Sequence, residues 1–319
     1  MRADPPLASI CIPVRNGERF LAQALQSVLQ QTFGDCEIVV VDNASTDGTA
    51  ALVEKLIADN PGTPLRLFRN ERNIGLVANF NACLTHARGK YVKFLCADDL
   101  LLPSCIESMA RVLDNHPCVS LVAGGRLLID EAGTRIGIQR YAGTKETVPG
   151  KEAINRCLFG ANYIGEPTAV MFRRDSALRG FREEFSHLMD MEMWLHLLEQ
   201  GDLAILPEPL CAIRRHAAQM TALNIKSGAL AEDNVRLYEE YGSKPYIRKS
   251  WINGMGRRIR MAYRVWLCRD HIDIARKNQI LKVHSVPLIY HVAMPVLAGL
   301  LSRLRHIHLL NRQDTDLIP

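Results

Sequence analysis

The chain has 319 residues, 48% hydrophobic and 23% charged. This is ordinary globular composition with enough apolar material for a sizeable core, and no low-complexity tract or repeat interrupts it. The net charge of +5 is unevenly spread: residues 244–312 hold 14 Lys/Arg against 2 Asp/Glu, so an acidic body carries a basic tail. Such a tail suits a polyanionic partner, either nucleic acid or an anionic membrane surface. The nine cysteines are scattered without a Cys-x-x-Cys pair. They read as reduced, buried small hydrophobes rather than a zinc cluster or a disulfide framework. Met1 to Pro6 is short and polar, without the apolar run of a signal peptide, so a cytoplasmic protein is expected.

Ala8 to Val14 is a short apolar strand. Phe20, Leu21, Ala24, Leu25 and Val28 then recur at helical spacing within residues 17–31. Glu37 to Val41 is a continuous apolar strand, of the kind buried on both faces. A helix is expected from Asp47 to about Asp59, a strand at Leu65 to Phe68, and a helix at Gly75 to His86. Tyr91 to Leu95 is a fourth strand, Pro103 opens a helix, and Val119 to Ala123 is a fifth strand. After Gly124 the pattern changes. Arg126 to Ile129 and Thr134 to Ile138 form a hairpin around Asp130-Glu131-Ala132-Gly133. Thr168 to Phe172 reads as a strand and Asp190 to Gln200 as a helix stopped by Gly201. From about Lys226 the chain is mainly helical and basic.

The βαβα order predicts a mostly parallel central sheet flanked by helices, with ligands bound beyond the carboxyl ends of the strands. Function is therefore sought just after each strand, and there the acids Asp42, Asp98 and Asp99 stand out. Adjacent carboxylates at Asp98 and Asp99 repel unless neutralised. A hard divalent cation would do this and would also bridge a diphosphate. The alternative is that one of them caps the helix entered at Pro103. Asp42 either orders the turn through Gly48 or accepts a hydrogen bond from a nucleotide base. Asp47 reads as a helix cap.

Val40-Val41-Asp42-Asn43-Ala44-Ser45-Thr46-Asp47-Gly48-Thr49 resembles the signature turn of the family 2 glycosyltransferases, which have the GT-A fold. Ile12 to Glu18 is similar to that family's first strand and turn, and Asn73 to Asn81 to its third block. Ala97-Asp98-Asp99 occupies the place of its metal motif. Asp190-Met191-Glu192-Met193-Trp194-Leu195 resembles its base-bearing helix. Arg214-Arg215-His216, followed by Met220-Thr221, resembles its Tyr-Arg-x-His segment.

The resemblance implies a catalytic domain over residues 1–225 and a basic helical extension over 226–319. It implies a nucleotide-sugar donor, with uracil the usual base, and Mn2+ or Mg2+ as cofactor. Asp42 would hold the base, with Pro13 and Arg15 lining its pocket and Arg72 approaching the nucleotide. Asp99 would ligate the metal, Asp98 would touch ribose or sugar, and His216 would reach the metal or diphosphate. Asp190 would be the catalytic base of an inverting transfer to a saccharide or lipid-linked acceptor in cell-surface polysaccharide synthesis. Glu166 and Thr168 lie in the acceptor region; both also suit an ordinary loop and strand start.

Two positions depart from the family pattern. Met189 stands where Glu is usual, which makes Glu192 a rival to Asp190, and Ile213 replaces an aromatic residue. Met189 also supports a second reading, a nucleotide-sugar-binding protein without turnover. Val286 to Leu301 is apolar but only 16 residues long, short of a membrane span. Lys282, Arg303 and Arg305 flank it, so it suits an anionic membrane surface or a packed core helix. Arg257-Arg258-Ile259-Arg260 would fit that same membrane surface or a solvated helix face. No nucleic-acid partner is expected, since the tail places few aromatics for stacking.

Overall fold

A computed structural model describes residues 5–141, 146–160, 162–216, 229–267, 274–283 and 286. Of the segments read above, Met220-Thr221, residues 287–301, Arg303 and Arg305 lie outside the described residues. The chain divides into two compact units, Met1–Ile154 with Asn162–His216, and Asn155–Ala161 with Ala217–Pro319.

The first unit is built on ten strands. They are β1 (Ala8–Val14), β2 (Cys36–Asp42), β3 (Leu65–Arg69), β4 (Tyr91–Phe94), β5 (Leu100–Leu101), β6 (Val119–Ile129), β7 (Arg135–Gln139), β8 (Glu146–Val148), β9 (Val170–Arg173) and β10 (Asp202–Arg214). The helices are α1 (Glu18–Leu29), α2 (Thr49–Asp59), α3 (Leu76–His86), α4 (Cys105–Asn115), α5 (Gly150–Phe159) and α6 (Met189–Gln200). The sheet runs in the order β3-β2-β1-β4-β9-β6-β10-β5, with β7 on β6 and β8 on β10.

β3, β2, β1 and β4 are mutually parallel, so their carboxyl ends lie side by side. All seven residues of β1 and the last six of β2 are buried, as their unbroken apolar runs require. Glu37 is buried at the start of β2, where the Ser9 hydroxyl and the Arg88 amide donate to it and Arg66 pairs with it at 2.6 Å. β9 then runs antiparallel to both β4 and β6, and β5 antiparallel to β10. The parallel pattern thus covers the first half of the sheet, and the second half is mixed.

The sequence reading split β6 at Gly124 and left β10 unread. Both departures have one cause. Leu206-Pro207-Glu208-Pro209 has the look of a loop, yet β10 passes through it with register shifts while staying parallel to β6. Opposite lies Gly125, where a Cβ would come within 2.6 Å of the Pro207 carbonyl oxygen. Only glycine lets the bulged strand approach there, so the residues that look like a break make the pairing possible.

In the second unit the regular structure described after residue 229 is helical: α7 (Ala229–Tyr241), α8 (Trp251–Leu267) and α9 (Ile274–Val283). Ala231, Val235, Met261, Val265, Ile280 and Leu281 form its core. No helix among the described residues is long and apolar enough to cross a membrane. Among the described cysteines none is in a disulfide, and Cys11, Cys83, Cys105, Cys157 and Cys211 are buried.

Candidate active site

The parallel strands β3, β2, β1 and β4 deliver Arg69, Asp42, Val14 and Phe94 to one edge of the sheet. The turns that follow carry the polar residues. Asp42 is fully buried; its Oδ1 accepts the Ser45 amide at 3.0 Å and its Oδ2 lies 3.3 Å from Arg69 Nε. Its neighbouring turns brace each other. The Asn16 amide donates to Ser45 Oγ at 2.8 Å, and the Thr46 amide donates to Asn16 Oδ1 at 2.9 Å. Asn16 and Ala44 both adopt positive φ, 53° and 54°. Asparagine tolerates this well, whereas alanine does so at a cost of about 1–2 kcal/mol.

Pro13 is buried in β1 beside Val41. Arg15 and Arg72 are exposed, and among the described residues neither guanidinium has a protein partner. The Arg72 loop rests on an asparagine network that the sequence reading did not single out. Asn43 Nδ2 donates to Asn73 Oδ1 at 2.9 Å, and Asn43 Oδ1 accepts from Asn70 Nδ2 and the Ile74 amide. Asn79 closes it by donating to the Val41 carbonyl at 3.1 Å. Three asparagines just after strand ends, Asn43, Asn70 and Asn73, were the available signal.

Beyond β4, the thiol of Cys96 and the carboxylates of Asp98 and Asp99 lie within 4.8 Å of one another. Asp99 is buried. Its Oδ2 accepts the Thr168 hydroxyl at 2.6 Å and its Oδ1 accepts the Arg214 amide at 2.9 Å. Burial and then the Asp98 charge push its carboxyl well above the usual carboxylate range. Asp98 is more open, and its Oδ2 lies 2.9 Å from His216 Nε2. Neither acid caps α4, whose N-cap is Ser104. Asp47 braces its own turn and the one after β1, accepting the amides of Thr49 and Glu18 at 3.1 and 3.2 Å.

Arg214 holds this cluster together. Its side chain is fully buried. Nε donates to the Asp98 carbonyl at 2.8 Å, Nη1 to the carbonyls of Asp130 and Glu131, and Nη2 to Gln23 Oε1 at 2.7 Å. The guanidinium thus ties the end of β10 to the metal-motif turn, the β6–β7 hairpin and α1. His216 follows two residues later with its ring 5.5 Å from Phe20.

The two carboxylates suit a hard divalent cation, with the His216 imidazole against Asp98, and among the described residues no Lys or Arg ion-pairs with either acid. Burial, followed by the charges of Asp99 and Asp98, pushes the Cys96 thiol well up. It is therefore neutral beside the acids.

Asp190 lies in the first turn of α6, where the N-cap is Leu188, so it is not the cap. It is partly exposed, and its Oδ1 accepts the Met191 amide at 2.7 Å. Burial, against the Met191 hydrogen bond and with help from the Glu166 charge, raises its pKa to about 7. A carboxylate with that affinity is suited to general-base work near neutrality. Glu192, its rival, is 1% exposed, and both its oxygens lie 2.8 Å from Arg179 Nη2. That ion pair engages both Glu192 oxygens. Glu166 also lies in this region, pairing with Arg126 at 3.3 Å and Arg215 at 3.1 Å.

The family model described as Glycosyl transferase family 2 matches residues 9–181. The chain belongs to that family, and it is a glycosyltransferase of the GT-A fold. A relative, Uncharacterized protein MT1568 of Mycobacterium tuberculosis, is 37% identical over 67% of this chain and 68% of its own. Among solved structures, Staphylococcus aureus TarS 1-349 in complex with UDP-GlcNAc aligns with a TM-score of 0.65 at 18% identity, over 89% of this chain and 82% of that one. The mannosyltransferase PcManGT from Pyrobaculum calidifontis, in complex with GDP-Man and Mn2+, aligns with a TM-score of 0.56 at 16% identity, over 92% and 88%.

Proposed function

We propose that the protein transfers a sugar from a nucleoside-diphosphate donor, UDP-linked by preference, to a saccharide or lipid-linked acceptor in cell-surface polysaccharide synthesis, with inversion. The observation that carries this reading is the Cys96–Asp98–Asp99 cluster at the carboxyl end of the parallel strands, with His216 against Asp98, in a family 2 chain. Asp42 would receive the base edge, beside Pro13 and Arg15, and Arg72 would approach the nucleotide from its asparagine-braced loop. Asp99 and His216 would hold Mn2+ or Mg2+, and Asp98 beside them would touch ribose or sugar. When bound, the ion would offset the negative charge growing on the departing diphosphate.

Asp190 would take the proton of the acceptor hydroxyl as the new bond forms, and one displacement with one base needs no covalent intermediate. Residues 1–225 would form the catalytic domain and 226–319 a basic extension. Its 14 Lys/Arg over residues 244–312 favour an anionic membrane face. The protein would then work in the cytoplasm, peripheral to the membrane.

The test is release of free nucleoside diphosphate from a panel of UDP-, GDP- and TDP-sugars with Mn2+. Turnover that disappears in Asp99→Asn and Asp190→Asn supports the reading. Thermal stabilisation by nucleotide without turnover, even with cell extracts supplying acceptors, makes the protein a binder instead. Binding to anionic vesicles that persists after deletion of residues 282–319 would remove that segment from the membrane reading.

A further inference from the structure

Lys93 is a fully buried lysine on β4, and among the described residues no carboxylate pairs with it. An ammonium so placed costs several kcal/mol of desolvation unless strong hydrogen bonds compensate. Its one oxygen partner among the described residues is the Thr168 carbonyl, to which Nζ donates a short hydrogen bond. Its other neighbours are soft: Met109 Sδ at 3.8 Å and the thiols of Cys105 and Cys211. The Thr168 carbonyl is the one strong hydrogen-bond acceptor among them, so the use of the ammonium is sought at Thr168.

Thr168 is itself fully buried, in the short turn Pro167–Ala169 that leads into β9. Its hydroxyl does two things at once. It accepts the Cys96 amide at 3.0 Å, which fixes the backbone leaving β4. It also donates to Asp99 Oδ2 at 2.6 Å, which fixes the carboxylate. With Arg214 on Oδ1, Asp99 is left one orientation. The carbonyl of the same threonine is the atom Lys93 grips.

We propose that Lys93 is a positioning residue for the Asp98–Asp99 turn, acting through Thr168. Lys93 anchors the turn from the core side, and Thr168 passes that constraint to the ligand carboxylate. The inference rests on the reading of Asp98 and Asp99 as the metal site. Partners that orient a metal ligand in this way typically account for about 10–100-fold in metal affinity.

The experiment is Mn2+ titration of the full chain, following the paramagnetic resonance signal of the free ion, with a thermal melt of each variant. Wild type binds Mn2+ and Asp99→Asn loses it. Thr168→Val weakens binding about tenfold or more, and Thr168→Ser, which keeps the hydroxyl, restores it. Lys93→Met weakens binding while its melting temperature stays equal or rises, since a well-packed apolar residue replaces a buried charge. If Lys93→Met does not fold, Lys93→Leu takes its place in the same titration, with Thr168→Val and Thr168→Ser reporting the Thr168 link. A wild-type chain that binds no Mn2+ overturns both this inference and the metal-site reading. Mn2+ bound by wild type, lost in Asp99→Asn, yet held equally well by either Thr168→Val or the Lys93 variant, overturns this inference alone.

Discussion

Replacing Asp190 by asparagine should stabilise the protein at neutral and alkaline pH while abolishing transfer. The native carboxyl titrates at about 7, against 3.8 for the ordinary group. The folded state therefore holds the proton more tightly than the unfolded chain. Its contribution is fully present below pH 3.8 and is lost as pH rises through 7. Above that point the ionised carboxylate opposes folding. Every tenfold gain in proton affinity is worth about 1.36 kcal/mol, so the ceiling is about 4 kcal/mol.

Asp190 keeps some solvent contact, and screening reduces the effect to about 2 kcal/mol. Asparagine has the same shape without the charge. The variant should melt about 5 °C above wild type at pH 8 and match it near pH 4, both measured without metal. A melting difference that does not change between pH 5 and pH 8 would refute this account of Asp190. The same titration places the acidic limb of the wild-type rate near pH 7, with activity rising as the base loses its proton.

The remaining predictions concern the residues that hold the site in place. Glu192→Gln breaks a buried ion pair with Arg179 and should cost about 3 kcal/mol in chemical denaturation, while leaving the pH midpoint of the residual activity unchanged. Arg214→Lys cannot reach the Asp98, Asp130 and Glu131 carbonyls and Gln23 together. It should lose about 3 kcal/mol of stability through orphaned acceptors and raise the Mn2+ concentration needed for half-maximal turnover. Gly165→Ala should destabilise by about 2 kcal/mol or more, read by urea unfolding, because φ is +118° and the new Cβ would fall 1.7 Å from Arg126 Nη1.

The amino-acid sequence determined a great deal by itself. The apolar runs Ala8–Val14 and Ile38–Val41 can only be satisfied by burial on both faces, and this alone predicts parallel strands with helices between them. Once those strands are parallel, the turns at Asp42 and Asp98–Asp99 must share an edge, so the location of the candidate site follows from chain order. Local turn chemistry is equally readable, because Asp47 bonds to Thr49 only two positions away. The choice between Asp190 and Glu192 is different. Both are acids in the first turn of α6, and only the approach of Arg179 makes one a structural ion pair and leaves the other a carboxyl with raised proton affinity.

The roles of Lys93, Thr168 and Arg214 are likewise invisible in sequence. Thr168 meets Asp99 across 69 residues and Arg214 meets it across 115, and no local pattern records such distances. The bulge in β10 opposite Gly125 also belongs to the tertiary structure, since its prolines fit a strand only because a glycine of β6 lies beside them. Periodicity and turn propensity act over a few residues, and they placed the candidate site's turns along one edge of the sheet. Which charges are buried together is set by long-range packing, and that decided which carboxylates are free to act there.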